Sequence, residues 1–102
     1  MRKKRIDGAV LRQHAEQASQ LLKTIGNPIR LMILCTLMQG EYSVGKLNNR
    51  IDLSQSTLSQ HLAILRRNGL VQTRREAQTI FYSLENEKVS SLMECLYTIY
   101  CG

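Results

Sequence analysis

The ten residues from Ile29 to Met38, IRLMILCTLM, constrain this chain more than any other stretch. They read as a helix that is apolar almost all round, and such a helix must be surrounded, so it belongs at the centre of a small bundle. The elements that surround it follow from the helix period. Leu11, Ala15, Ala18, Leu22 and Ile25 recur at helical spacing, and Gly26-Asn27-Pro28 then stops that helix and starts the apolar one with proline in its first turn. Gln39-Gly40 ends the second helix. Ser43 is placed to cap a short third helix through Arg50, with Val44, Leu47 and Ile51 turned inward. A tight connection from Ile51 to Ser54 enters a fourth helix, capped by Ser54 and stopped at Asn68-Gly69. Asn86 caps a fifth, whose Val89, Leu92, Met93, Leu96, Ile99 and Tyr100 form a broad apolar band. A chain of 102 residues closes only one modest core. The apolar faces left on the first and last helices are therefore expected to meet the same helices of a second copy.

The fourth helix, SQSTLSQHLAILRR from Ser54 to Arg67, carries the functional signal. At about 100° per residue, Leu58, Leu62 and Leu65 fall on one stripe, while Ser56, Gln60, Ala63 and Arg67 lie opposite with Ser59 beside them. A merely solvated face more often carries Glu and Lys. This one is small, uncharged and rich in donors, which suits close approach to base edges in a major groove. Two helices joined by a short turn, the second with such a face, read as a helix-turn-helix. LVQTRREAQTIFYSL, Leu70 to Leu84, follows as two runs of strand formers around Glu76-Ala77-Gln78 and reads as a hairpin. Directly after a recognition helix, a basic hairpin is a wing that can touch phosphates. Arg74 and Arg75 can equally serve as edge-strand charges that block aggregation.

The charge balance agrees with a polyanionic partner. Of a net +6, the stretch 46–75 holds +5 through Lys46, Arg50, Arg66, Arg67, Arg74 and Arg75 against Asp52, and Arg2, Lys3, Lys4 and Arg5 hold +4. Lysines and arginines so concentrated displace counterions from phosphates. The expected architecture is thus a mainly α winged helix-turn-helix with a β-hairpin, dimerising through its N- and C-terminal helices. It is a single domain over residues 1–102, with a basic flexible tail at 1–8, the helix-turn-helix at 43–68, the wing at 70–84 and a dimerisation helix at 86–101. The expected partner is double-stranded DNA carrying an imperfect palindrome, because a twofold dimer sets its recognition helices about 34 Å apart, one duplex turn. Gln55, Ser56, Ser59 and Gln60 are the candidates for base edges, with Gln60 suited to bidentate contact with an adenine, and Arg67, Arg74 and Arg75 the candidates for phosphates. His61 projects beside the Leu58 stripe, as a packed core histidine or a DNA contact.

GNPIRLMILCTL, SVGKL, LSQSTLSQHLAILRRNGLV and RREAQTIFYSL together resemble the ArsR/SmtB family of dimeric winged-helix repressors over roughly residues 20 to 102. Within that family the wing and the cysteines are most similar to the HlyU/SqrR/BigR-like dithiol branch. The resemblance implies that Cys35 and Cys101 are a sensing pair, which reactive sulfur species convert to a disulfide or a sulfur-bridged link, releasing the DNA. From the residues alone, Cys35 also suits a plain core position in an apolar helix. Cys95 lies six residues before Cys101 and points about 120° away on an ideal helix, so both cannot face Cys35 from a regular last turn. Cys101 itself projects about 140° from the middle of the apolar band.

Other functions are poorly supported. Metal-sensing members of the family carry a Cys-Val-Cys motif at the third helix, where this chain reads Glu41-Tyr42-Ser43-Val44-Gly45-Lys46-Leu47, or His and acidic ligands on the last helix, where Glu87 to Gly102 has no histidine. No metal and no cofactor are therefore expected, and Met32, Met38 and Met93 read as gap fillers. The chain shows no paired carboxylates, Gly-rich phosphate loop or nucleophile with its base, so no enzyme is expected. It shows no signal-peptide pattern and no run long enough to cross a membrane, which implies a cytoplasmic protein with conditional rather than permanent disulfides.

Overall fold

A computed structural model describes residues 7–102, and the basic run Arg2 to Arg5 lies outside the described residues. The elements are α1 (Gly8–Ile25), α2 (Pro28–Leu37), β1 (Tyr42–Ser43), α3 (Val44–Arg50), α4 (Gln55–Arg67), β2 (Val71–Glu76), β3 (Thr79–Leu84) and α5 (Glu87–Tyr100). Every helix starts at a side chain that satisfies orphan backbone donors. Asp7 accepts from Ala9 N, Asn27 from Ile29 N and Arg30 N, Ser43 from Lys46 N, Ser54 from Thr57 N and Asn86 from Val89 N. Asp7 and Gly8, at the end of the expected tail, are thus the cap and first residue of α1.

The fold is the expected winged helix-turn-helix, with one strand more than the sequence suggested. Tyr42 and Ser43 pair with Tyr82 and Phe81, making an antiparallel sheet of order β1-β3-β2 in place of an isolated hairpin. Two residues are too short for period-two alternation to register, so nothing in the local pattern announced them. Their consequence is positional. β1 runs straight into α3, so the wing is hydrogen-bonded to the segment that starts the helix-turn-helix.

The core is centred on α2, α3 and α4. Ile33, Leu34, Leu47, Leu58, Leu65 and Met93 are fully buried, with Leu62 and Val71 nearly so. α2 departs from the expectation of burial all round, since Met32 is 45% exposed and Met38 and Cys35 are only half-buried. α1 departs further. Of its helical stripe only Ile25 is buried, while Leu11 and Leu22 remain 51% and 60% exposed. At the other end of the chain, Tyr97, Ile99 and Tyr100 of α5 are also exposed. The single chain lacks the surface to cover these two faces.

The β2–β3 turn is Ala77-Gln78, and Ala77 sits at φ 55°, in the left-handed region where a Cβ crowds the following carbonyl. Ala77→Gly is expected to raise the stability of the fold by about 0.5 to 1 kcal/mol, strain relief outweighing the extra chain entropy of glycine. Urea denaturation of both proteins checks this; a lower midpoint for the glycine variant would mean the turn carries no strain.

Candidate nucleic-acid interface

α4 is seated by its apolar stripe and held at its start by local hydrogen bonds. Ser54 Oγ accepts from Thr57 N at 3.1 Å and donates to Thr57 Oγ1 at 2.8 Å, so this hydroxyl is used by the cap. Asn48 Nδ2 donates to the carbonyl of Leu53, clamping the turn between α3 and α4. Asn48 was not singled out from sequence. The only signal was an amide near the end of a short helix before a tight turn.

The opposite face of α4 points to solvent. Gln55, Ser56, Ser59, Gln60, Ala63 and Arg67 are all exposed. Among the described residues, no side-chain hydrogen bond engages Gln55, Ser56, Ser59, Gln60 or Arg67. Their donors and acceptors are therefore free for another molecule. Such a surface, small and amide-bearing on a rigid helix, can enter a groove without displacing long side chains. His61 takes the inner position. It is half-buried, with Nδ1 3.4 Å from Arg30 Nη1, and Arg30 Nε donates to the Thr24 carbonyl at 2.5 Å. This links α4 to the α1–α2 junction.

The two wing arginines part company. Arg75 is exposed opposite Ile80 and enters neither of the ion pairs seen among the described residues. Arg74 enters both, with Nε 2.7 Å from Glu41 Oε2 and Nη1 2.8 Å from Glu76 Oε2. Hydrogen bonds first to Glu41 and then to Glu76 raise its pKa further above the ordinary arginine value. Arg75 is thus offered to an incoming phosphate more freely than Arg74.

The cysteines converge as well. Cys35 on α2 and Cys101 after α5 line one apolar cavity of about 160 Å³, walled by Leu31, Met93, Leu96, Tyr97 and Tyr100. Met93, Leu96, Tyr97, Tyr100 and Cys101 follow one another at helical spacing along this cavity, so the face of α5 turned to α2 is offset from the middle of the apolar band. Cys101 is the C-cap of α5, with φ −120° and ψ −19°, and its amide donates to the Tyr97 carbonyl. Burial, and then the nearby Cys101, push the Cys35 thiol up. Cys95 is exposed and lies outside this cavity. Among the described residues, no three His, Cys, Asp or Glu side chains group as a metal site. No described helix is long and apolar enough to cross a membrane.

Comparison with known proteins places these features in context. Residues 27–73 match the model of a family described as bacterial regulatory protein, arsR family. The biofilm growth-associated repressor of Agrobacterium fabrum is 50% identical over 92 residues, covering 90% of this chain and 79% of that protein. The transcriptional activator HlyU of Vibrio cholerae is 52% identical over 91 residues, 89% of this chain and 84% of that one. The solved structure of reduced HlyU from Vibrio cholerae matches with a TM-score of 0.86 at 51% identity, covering 90% of this chain and 97% of the other.

Proposed function

This chain belongs to the arsR family of bacterial DNA-binding transcriptional regulators, and on that premise we propose that it is a cytoplasmic homodimeric repressor switched by thiol chemistry. As a dimer it reads an imperfect palindromic operator through α4 and releases it when reactive sulfur species join Cys35 to Cys101. One observation carries the DNA-reading part: α4 buries Leu58, Leu62 and Leu65 while presenting Ser56, Ser59 and Gln60 exposed and unbonded among the described residues. In this reading Gln55, Ser56, Ser59 and Gln60 meet base edges, and Arg67 and Arg75 meet phosphates.

The dimer rests on the exposed apolar faces of α1 and α5, whose Leu11, Leu22, Ile99 and Tyr100 are too many to leave in water without a partner. The switch rests on the shared cavity of Cys35 and Cys101, which puts two thiols at the junction of α2 and α5. A link there ties the centre of the winged domain to the dimerisation helix, and so changes how the two reading helices are spaced. A metal-responsive reading has less support, since no ligand cluster is seen among the described residues.

The operator is obtained by passing sheared genomic DNA over the protein and sequencing what is retained. On that duplex, Gln60→Ala is expected to relax discrimination at one base pair by about 1 to 3 kcal/mol, while Arg75→Ala weakens all sequences alike and lowers the salt slope by about one. If Gln60→Ala weakened every sequence equally, that residue would be removed from base readout.

A further inference from the structure

We infer that Arg74 is a positioning residue: it braces the wing against the start of the helix-turn-helix instead of holding a DNA phosphate. The inference rests on the reading above, in which the wing lies against the duplex. The sheet order is β1-β3-β2, so the strand bearing Arg74 and the strand next to Glu41 lie on opposite edges. Arg74 is opposite Phe81 of the middle strand, and its guanidinium carbon lies 4.6 Å from the centre of that ring. From there Nε reaches both oxygens of Glu41, at 2.9 and 2.7 Å, and Nη1 reaches Glu76. One side chain thus runs from β2 over β3 to the residue that leads into β1.

The two ends of this brace matter for function. Glu41 immediately precedes β1, and Ser43 at the end of β1 caps α3. Glu76, at the tip of β2, adjoins the turn and follows Arg75. A planar fork holding Glu41 over an aromatic ring sets one wing angle relative to α3 and α4 in a way that a flexible ammonium does not. With two carboxylates around it, Arg74 also adds little to the positive field that a phosphate meets, whereas its neighbour Arg75 keeps its charge free.

The test is a double-mutant cycle of Glu41→Gln and Arg74→Gln, read as affinity for the duplex recovered from sheared genomic DNA across a range of salt, with Arg75→Ala alongside. Glu41→Gln removes a negative charge beside a polyanion, so simple electrostatics calls for tighter binding. The brace calls for the opposite sign, a loss of about threefold, a size in keeping with the modest strength of half-exposed ion pairs. Arg74→Gln should bring a similar loss with an unchanged salt slope, and the double variant should bind no worse than Arg74→Gln alone. Tighter binding by Glu41→Gln, additive losses, or a salt slope lowered by about one in Arg74→Gln would each overturn the brace. If those results came with the expected Arg75→Ala effect, the wing would still be a DNA contact. No effect from Arg75→Ala would remove the wing from the interface, and the brace with it.

Discussion

Treating the reduced protein with an organic persulfide is expected to join Cys35 to Cys101 and to weaken operator binding by about 5- to 150-fold, the ordinary span of coupling between two sites. One thiolate takes the outer sulfur of the persulfide RSSH and releases RSH. The other thiol then attacks the inner sulfur of the new protein persulfide, forming the disulfide and releasing hydrogen sulfide. The shared apolar cavity supplies proximity. The raised pKa of Cys35 sets the pH dependence: its thiolate is scarcer at neutral pH than that of a free cysteine, so any step in which it attacks accelerates as pH rises towards the raised value. The same shift makes the reduced fold lose stability as pH climbs from the ordinary thiol value through the folded one. Mass spectrometry and operator titration of the same samples check the switch. Cys35→Ser and Cys101→Ser should each abolish the response, and Cys95→Ser, outside the cavity, should leave it intact. A Cys35→Ser protein that still released DNA on treatment would end the dithiol reading and leave a regulator with another input.

Leu62→Ala is expected to produce the largest change in stability, a loss of about 2 to 5 kcal/mol. Leu62 is 1% exposed and sits midway along the buried stripe of α4, between Leu58 and Leu65 at 0%. Removing its branched end leaves a cavity under the reading helix that the surrounding leucines, themselves fully packed, fill only in part. In a domain of this size each kcal/mol shifts Tm by about 4 to 8 °C, so a fall of about 10 °C or more is the expected readout. The comparison must be made at one protein concentration, because any association of subunits adds to apparent stability. A loss below about 1 kcal/mol would show that α4 is not anchored through this stripe, and the outward assignment of Ser59 and Gln60 would lose its basis. Operator binding should fall with stability near the transition and recover on cooling.

Much of this molecule is readable along the chain because the relevant interactions are local. Asn86 and Ser54 cap helices through amides three residues away. The division of α4 into a leucine stripe and a Ser/Gln face follows from the 3.6-residue period alone, and the structure keeps it. The same period marks the stripe of α1, which mostly lies outside the core of the single chain. Periodicity shows which face is apolar and not what covers it.

The other features depend on contacts between distant residues. Arg74 and Glu41 are separated by 33 positions and Arg30 and His61 by 31, and no local pattern indicates that either pair meets. β1 exists only because β3 arrives beside it. Cys101 reaches the cavity of Cys35 because α2 lies against the side of α5 that carries Met93 and Tyr97, a choice of neighbour that a helical projection cannot anticipate. The sequence by itself determined the helices, their caps and their two-faced character, since each follows from sterics and hydrogen bonds within a turn or two. The tertiary structure decided which charges are neutralised and which thiols are neighbours, because those depend on the packing of elements far apart in the chain.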